Sequence, residues 1–236
     1  MVLTDRTALV LRSRPYREND RMLTLFSPVH GRVDACARGC RKPRSPLLAA
    51  SSVFALGDYT LYEKNGRFTV TAVSVIETFY ALSSDLDRLT SASYLLDLCE
   101  RVIQPGQENR PLFMLLLHVL SRLTYGEEPW EALVTGFMAR FLQQQGQMPE
   151  LDKCQRCGKV LGETDSLFLD IRDGGLRCMA CREQGVPLAQ AQRAFLCHCL
   201  RTPPSAWKAE PDRYPPLKIM KSMTEYHVGA VRTLLP

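Results

Sequence analysis

Two short cysteine motifs constrain this chain more than any other feature. Cys154-Gln155-Arg156-Cys157 is followed, twenty residues later, by Cys178-Met179-Ala180-Cys181. Two Cys-x-x-Cys pairs at such a separation have the spacing of a zinc site. Each tight turn aims two thiolates at one point, and the two turns together complete a tetrahedron around one Zn²⁺. Gly158 follows the first pair, and Asp173-Gly174-Gly175 provides a turn before the second. Between them, Ser166 to Ile171 alternates apolar and polar residues like a short strand, as in a zinc ribbon or knuckle. Two disulfides would need an oxidising compartment, and Met1 to Arg6 lacks the basic-then-apolar pattern of a secretory signal. Cys154, Cys157, Cys178 and Cys181 would fill all four positions on zinc and leave none for water. The ion is therefore expected to be structural.

The chain's 236 residues allow two or three small domains, each with its own core. Its longest apolar run, Leu112 to Leu117, is interrupted by His118, far short of the about 20 residues that cross a bilayer. No membrane partner is expected, and the location is expected to be cytoplasmic. Five further cysteines, Cys36, Cys40, Cys99, Cys197 and Cys199, are read as reduced thiols. Charge is unevenly distributed. Residues 1–80 hold 12 Lys/Arg against 7 Asp/Glu, whereas residues 81–236 hold 18 of each. A basic first third on a neutral remainder points to a polyanionic partner.

That first third reads as strands over Thr4 to Arg14, Arg21 to Ser27, Arg32 to Arg38, Tyr59 to Glu63 and Phe68 to Ile76. The last two flank Lys64-Asn65-Gly66-Arg67, and Asn-Gly between alternating runs is a strong hairpin signal. Five strands with a long third connection fit a small closed barrel of the oligonucleotide-binding kind. Arg12, Arg14, Arg17, Arg21, Arg32, Arg38, Arg41, Lys42 and Arg44 face only Glu18, Asp20 and Asp34 in the same stretch. Lys64 and Arg67 add two cations at the hairpin. Arginine forks onto phosphate and stacks on bases. Tyr16 and Tyr62 could serve as stacking platforms, while the alternation around Phe26 puts that ring in the core. Arg12 and Arg14 share a parity, and so a strand face.

From Leu82 the period becomes helical. Ser84 can cap a helix whose apolar stripe is Leu86, Leu89, Ser93, Leu96 and Val102. A second helix runs from about Asn109 to Tyr125, and a third from Pro129 to Gly146. After the cysteine segment, Leu188 to Leu200 and Lys218 to Leu235 are expected to be helical, separated by a proline-rich linker at 203–216. The expected organisation is α+β. An oligonucleotide-binding barrel spans 1–80, and a helical domain begins at 81–150. The zinc element occupies 151–185, and C-terminal helices complete the helical domain over 186–236. Phosphate-binding loops, nucleophile elbows and His-Glu-x-x-His are all absent, so no enzymatic activity is expected.

The order of segments resembles the bacterial RecO family of recombination mediators and DNA-repair proteins. The resemblance is carried by Tyr16-Arg17-Glu18-Asn19-Asp20-Arg21 running into Leu23-Thr24-Leu25-Phe26, by His30-Gly31-Arg32, and by Ala37 to Ser45. Leu86-Asp87-Arg88-Leu89 with Ala92 to Leu96, Pro149 to Cys154, and Glu225-Tyr226-His227 extend it over nearly the whole chain. It implies binding to single- and double-stranded DNA, annealing of complementary strands, and partnership with RecR. It further implies contact with the C-terminal tail of the single-stranded-DNA-binding protein and, indirectly, loading of RecA. Two other readings stand beside it. A zinc-ribbon transcription or translation factor would bind one specific nucleic-acid site, and an enzyme with catalytic zinc would keep an open coordination position.

Overall fold

The computed structural model describes residues 2–172, 174–207 and 215–236. Residues 208–214 of the proline-rich linker, including Pro211, and Asp173 of the expected turn lie outside the described residues. The described chain forms two compact units, residues 1–120 and 121–236.

The first unit is built on a closed barrel of β1 (Val2–Pro15), β2 (Arg21–Ser27), β3 (Gly31–Ala37), β4 (Leu56–Lys64) and β5 (Arg67–Glu77). The strand order is β1-β2-β3-β5-β4, closed by a parallel pairing of β3 with β5. Every other pairing is antiparallel. This is the arrangement expected of an oligonucleotide-binding barrel. Its interior is filled by Ala8, Val10, Leu23, Leu25, Val33, Ala35, Tyr59, Leu61 and Val70. Tyr59 is fully buried, and its hydroxyl donates to the carbonyl of Ala50 at 2.8 Å, so its polar tip is satisfied inside the core.

The barrel's outer surface is also apolar at one place. Leu9, Leu11 and Phe26, on the opposite parity, are buried too. They are covered by α1 (Leu86–Val102) and the start of α2 (Arg110–Tyr125), and the rings of Phe26 and Phe113 meet edge to face at 5.3 Å. The turn between β2 and β3 latches onto the α1–α2 connection. The Arg32 N–H donates to the Gln104 carbonyl at 3.1 Å, and the Gly106 N–H donates to the His30 carbonyl at 2.9 Å. Gly31 has a φ of +61°, and a Cβ there would run into the carbonyl oxygens of Gln104 and Gln107. Only glycine permits this approach.

The sequence misplaces the α1 stripe. Asp85, not Ser84, caps the helix, its carboxylate accepting from the Arg88 N–H at 3.0 Å. Leu86 is exposed, while the buried face is Ser91, Ala92, Tyr94, Leu95, Leu96, Leu98 and Cys99. The helix packs on the barrel with a wide face made partly of small residues. A pattern search for large apolar side chains therefore drifts off it.

The second unit holds α3 (Trp130–Gln144), α4 (Gln190–Arg201) and α5 (Leu217–Val228). Between α3 and α4 lies a three-stranded sheet in the order β7-β6-β8, formed by β6 (Leu167–Asp170), β7 (Gly175–Arg177) and β8 (Val186–Leu188). α3 is buried on nearly all sides, with every residue from Ala132 to Ala139 inaccessible. Trp207 packs flat on Gly136, where any side chain would enter the indole ring. α5 ends well short of the expected Leu235, because Gly229 takes a φ of +82° and turns the chain away. Cys197-His198-Cys199 is an ordinary helix face. Cys199 is buried, and a ring nitrogen of His198 is 2.9 Å from the Ala206 carbonyl.

Candidate nucleic-acid interface and metal centre

The barrel's open end is organised by its strand register. Arg14 pairs with Met22, Met22 with Cys36, Cys36 with Thr69, and Thr69 with Tyr62. These five residues form one transverse row on the outer face, about 20 Å from end to end at the usual strand spacing. Beyond the row lies a groove of about 610 Å³ lined by Arg38, Tyr62, Lys64, Asn65, Arg67 and two threonines, Thr69 and Thr71. The hairpin that forms one rim turns at Asn65 and Gly66, both at positive φ (51° and 72°), as Asn-Gly turns do. Lys64 and Arg67, paired across it, are exposed and have no acidic partner among the described residues.

A second cluster borders this groove. The loop between β1 and β2 (residues 16–20) is stitched to the segment after β3. The Asp20 carboxylate accepts the Gly39 N–H at 2.8 Å, the Asn19 carbonyl accepts the Arg41 N–H at 3.1 Å, and the Glu18 carbonyl accepts from the Arg41 guanidinium at 3.2 Å. Asp20 thus spends its carboxylate on a backbone N–H, while Arg14, Arg17, Arg38, Arg41, Lys42 and Arg44 stay exposed. The Arg17 guanidinium lies 5.3 Å from the centre of the exposed Tyr16 ring. Burial and Asp20 push the Cys36 thiol up, while Arg38 and Arg17 pull it the other way.

The remaining arginines behave differently. Arg12 and Arg32 both reach Glu100 of α1, at 3.7 and 3.9 Å, and Arg32 also pairs with Asp34 at 3.0 Å. Arg21 donates to the Ser13 hydroxyl at 3.1 Å. These three are half-buried and already engaged by partners within the first unit. Arg12 and Arg14 do share a face, in the regular register that follows the bulge between Val10 and Arg12, yet one is tethered to a helix and the other is open. Glu100 was missed as a partner because it lies 88 residues from Arg12, and only the fold brings them together.

In the second unit the four cysteine sulfurs lie within 4.8 Å of one another. The Cys157 and Cys178 sulfurs are 3.8 Å apart. Tetrahedral ligands at about 2.3 Å from a metal are separated by about 3.8 Å, so the set fits a four-sulfur ion site. The first turn is a small hairpin. The Cys154 N–H donates to the Lys159 carbonyl, and the Gly158 N–H (φ +74°) donates back to the Cys154 carbonyl, both at 2.8 Å. The second is a single 3₁₀ turn, Met179–Cys181. An ion pair between Arg156 and Glu183 joins the two turns. Burial raises the Cys154 thiol, but backbone N–H groups at Cys157, Cys178 and Arg156 outweigh it and bring the thiol down to about 6. A thiolate is the form a metal binds. Arg193 and Gln190 of α4 fasten the element through the carbonyls of Leu161, Gly162 and Asp165, at 2.7 to 2.9 Å.

An oligonucleotide-binding-type barrel with an open basic groove, followed in the chain by helices and four close thiols that could hold a metal ion, is the domain order of one protein family. The N-terminal model of recombination protein O matches residues 1–79, and the C-terminal model matches residues 83–234. The chain belongs to the RecO family, a DNA repair and recombination family. It is 36% identical over 172 residues to the DNA repair protein RecO of Alkaliphilus metalliredigens, covering 73% of this chain and 69% of that one. The corresponding protein of Moorella thermoacetica is 34% identical over 174 residues, covering 74% and 64%. That of an Exiguobacterium strain is 31% identical over 195 residues, covering 82% and 76%. The barrel, the helices and the cysteine cluster agree with the expectations set by sequence. No helix among the described residues is long and apolar enough to cross a membrane.

Proposed function

We propose that the protein is a non-enzymatic recombination mediator that binds single- and double-stranded DNA along the barrel and anneals complementary strands. With RecR it would help load RecA onto DNA coated by the single-stranded-DNA-binding protein, whose C-terminal tail it would also contact. The observation that supports this most is the open groove of Arg38, Lys64 and Arg67 beside the half-exposed Tyr62. Exposed cations neutralise phosphates without reading bases, and an aromatic ring stacks on any base. Two strands held on one positive surface repel each other less, which favours annealing. The family's role in DNA repair and recombination agrees with this reading.

The cysteine cluster serves, on this reading, as a structural zinc site. Cys154, Cys157, Cys178 and Cys181 would hold one Zn²⁺, which supplies cross-linking between the two turns when bound. The donor set fills a tetrahedron, so no position is left to activate water.

Annealing of complementary strands in the presence of the single-stranded-DNA-binding protein tests the proposal. The wild-type chain should accelerate annealing, and the Arg38→Glu/Lys64→Glu/Arg67→Glu variant should lose that activity on every sequence tried. Loss confined to one sequence would favour a site-specific transcription or translation factor. Undiminished annealing by the variant would remove the groove from the mechanism.

A further inference from the structure

The basic segment after β3 has no acidic residue of its own. From Ala35 to Gly57 the chain holds Arg38, Arg41, Lys42 and Arg44 but no Asp or Glu. Four cations within seven residues repel one another, so left to itself this stretch would spread over many conformations. Its order is supplied from the other side of the hairpin. The β2–β3 ladder ends where Arg21 faces Ala37. Beyond that point the half-buried Asp20 offers the next acceptor through its side chain, and its carboxylate takes the Gly39 N–H at 2.8 Å. The Asn19 carbonyl takes the Arg41 N–H at 3.1 Å, and the Lys42 N–H closes a turn onto the Gly39 carbonyl, also at 3.1 Å. Arg38, which lines the groove, is thus held on both sides, by the ladder at Ala37 and by Asp20 at Gly39.

Asp20 acts on a phosphate ligand in two opposite ways. Its negative charge, set among cations, works against binding. Its hydrogen bond works for binding, because side chains ordered in advance give up less freedom when the ligand arrives. The two can be separated chemically, since an amide oxygen accepts from an N–H without carrying a charge.

We propose that, with the groove read as a DNA site, Asp20 is a positioning residue of that site. Its hydrogen bond to Gly39 holds Arg38, Arg41, Lys42 and Arg44 in place before DNA arrives, and this ordering outweighs the repulsion of its charge. A residue acting by charge alone would have the opposite sign.

Titration of the full chain with a labelled single-stranded oligonucleotide at low salt reads that sign. Asp20→Ala removes a negative charge, yet should weaken binding about tenfold, the scale expected when several side chains are ordered on binding and not before it. Asp20→Asn keeps an acceptor and should recover the wild-type affinity to within about twofold. In a chain already carrying Arg38→Ala, Arg41→Ala, Lys42→Ala and Arg44→Ala, adding Asp20→Ala should cost nothing, because the groups it positions are gone. Hydrogen exchange without DNA reads the positioning itself. In Asp20→Ala the Arg41 amide, whose own acceptor is Asn19, should lose protection while the amides of the β2–β3 ladder keep theirs. Asp20→Ala binding as tightly as the wild type, or more tightly, would overturn the inference and leave the groove reading intact. So would an Asp20→Asn variant as weak as Asp20→Ala, an equal loss in the chain without the four cations, or an Arg41 amide that stays protected. A wild-type chain that binds no single-stranded DNA would overturn the groove reading and this inference together.

Discussion

The basic groove and the cysteine cluster are the two sites that draw attention in this chain, and they are built on opposite plans. Around the groove, the Asp20 carboxylate and the Asn19 carbonyl are committed to backbone N–H groups, and the cations Arg14, Arg38, Lys64 and Arg67 face solvent. Around the cluster, the charged groups are paired with one another: Arg156, Lys159 and Arg193 are tied to Glu183, Asp165 and Asp152. One site keeps its charges available for a ligand, and the other uses them to fix its own geometry. The cluster has the more recognisable motif, yet its plan is that of a fastener.

If that contrast is right, damage to the two sites should separate. The largest effect should come from Cys154→Ser with Cys157→Ser. Metal binding supplies about 10–16 kcal/mol to the folding of small four-ligand elements, so solubility and melting temperature should fall sharply. X-ray absorption of the wild type should show four sulfur ligands. A variant that stayed fully folded while losing DNA binding would reverse the two assignments.

Next, Arg38→Glu/Lys64→Glu/Arg67→Glu should lower affinity for single-stranded DNA by at least about tenfold at low salt. The plot of log K against log[salt] should flatten by about 2, since each single-strand phosphate contact contributes about 0.7. The melting temperature should hold. Tyr62→Ala, read by the same titration, should cost about 1–3 kcal/mol if one base stacks there. Gly136→Ala tests the other side of the comparison. It forces a methyl into the Trp207 ring and should destabilise the second unit by about 1–3 kcal/mol, with DNA affinity unchanged. The smallest effect is expected for Arg12→Ala. Its partner is Glu100, not solvent, so affinity should change less than about twofold, and stability by no more than about 1 kcal/mol.

The barrel was legible because its strands carry period-two patterns closed by turn residues, and Asn65-Gly66 sets the last hairpin. The cluster was legible because its ligand spacing is local. What escaped were features set by distant chain segments. The bulges at Val10–Arg12, Thr71 and Ile76 change a strand's facing without any mark in composition. The division of the arginines into tethered and open depends on α1, which delivers Glu100 to Arg12 and Arg32. The buried face of α1 is broad, with Ser91 and Ala92 fully covered, and the count of large apolar residues pointed elsewhere. α5 was overextended because Gly229 was read as one more helical position.

The chain has two tryptophans, Trp130 and Trp207, and both belong to the second unit. Trp207 is fully enclosed, with its indole N–H donating to the Thr202 carbonyl at 3.1 Å. Intrinsic fluorescence is therefore a reporter of the helical unit, and the barrel has only tyrosine to speak for it. An unfolding curve followed at tryptophan wavelengths describes half of the molecule. Comparing it with a tyrosine or circular dichroism curve would show whether the two halves melt together or apart.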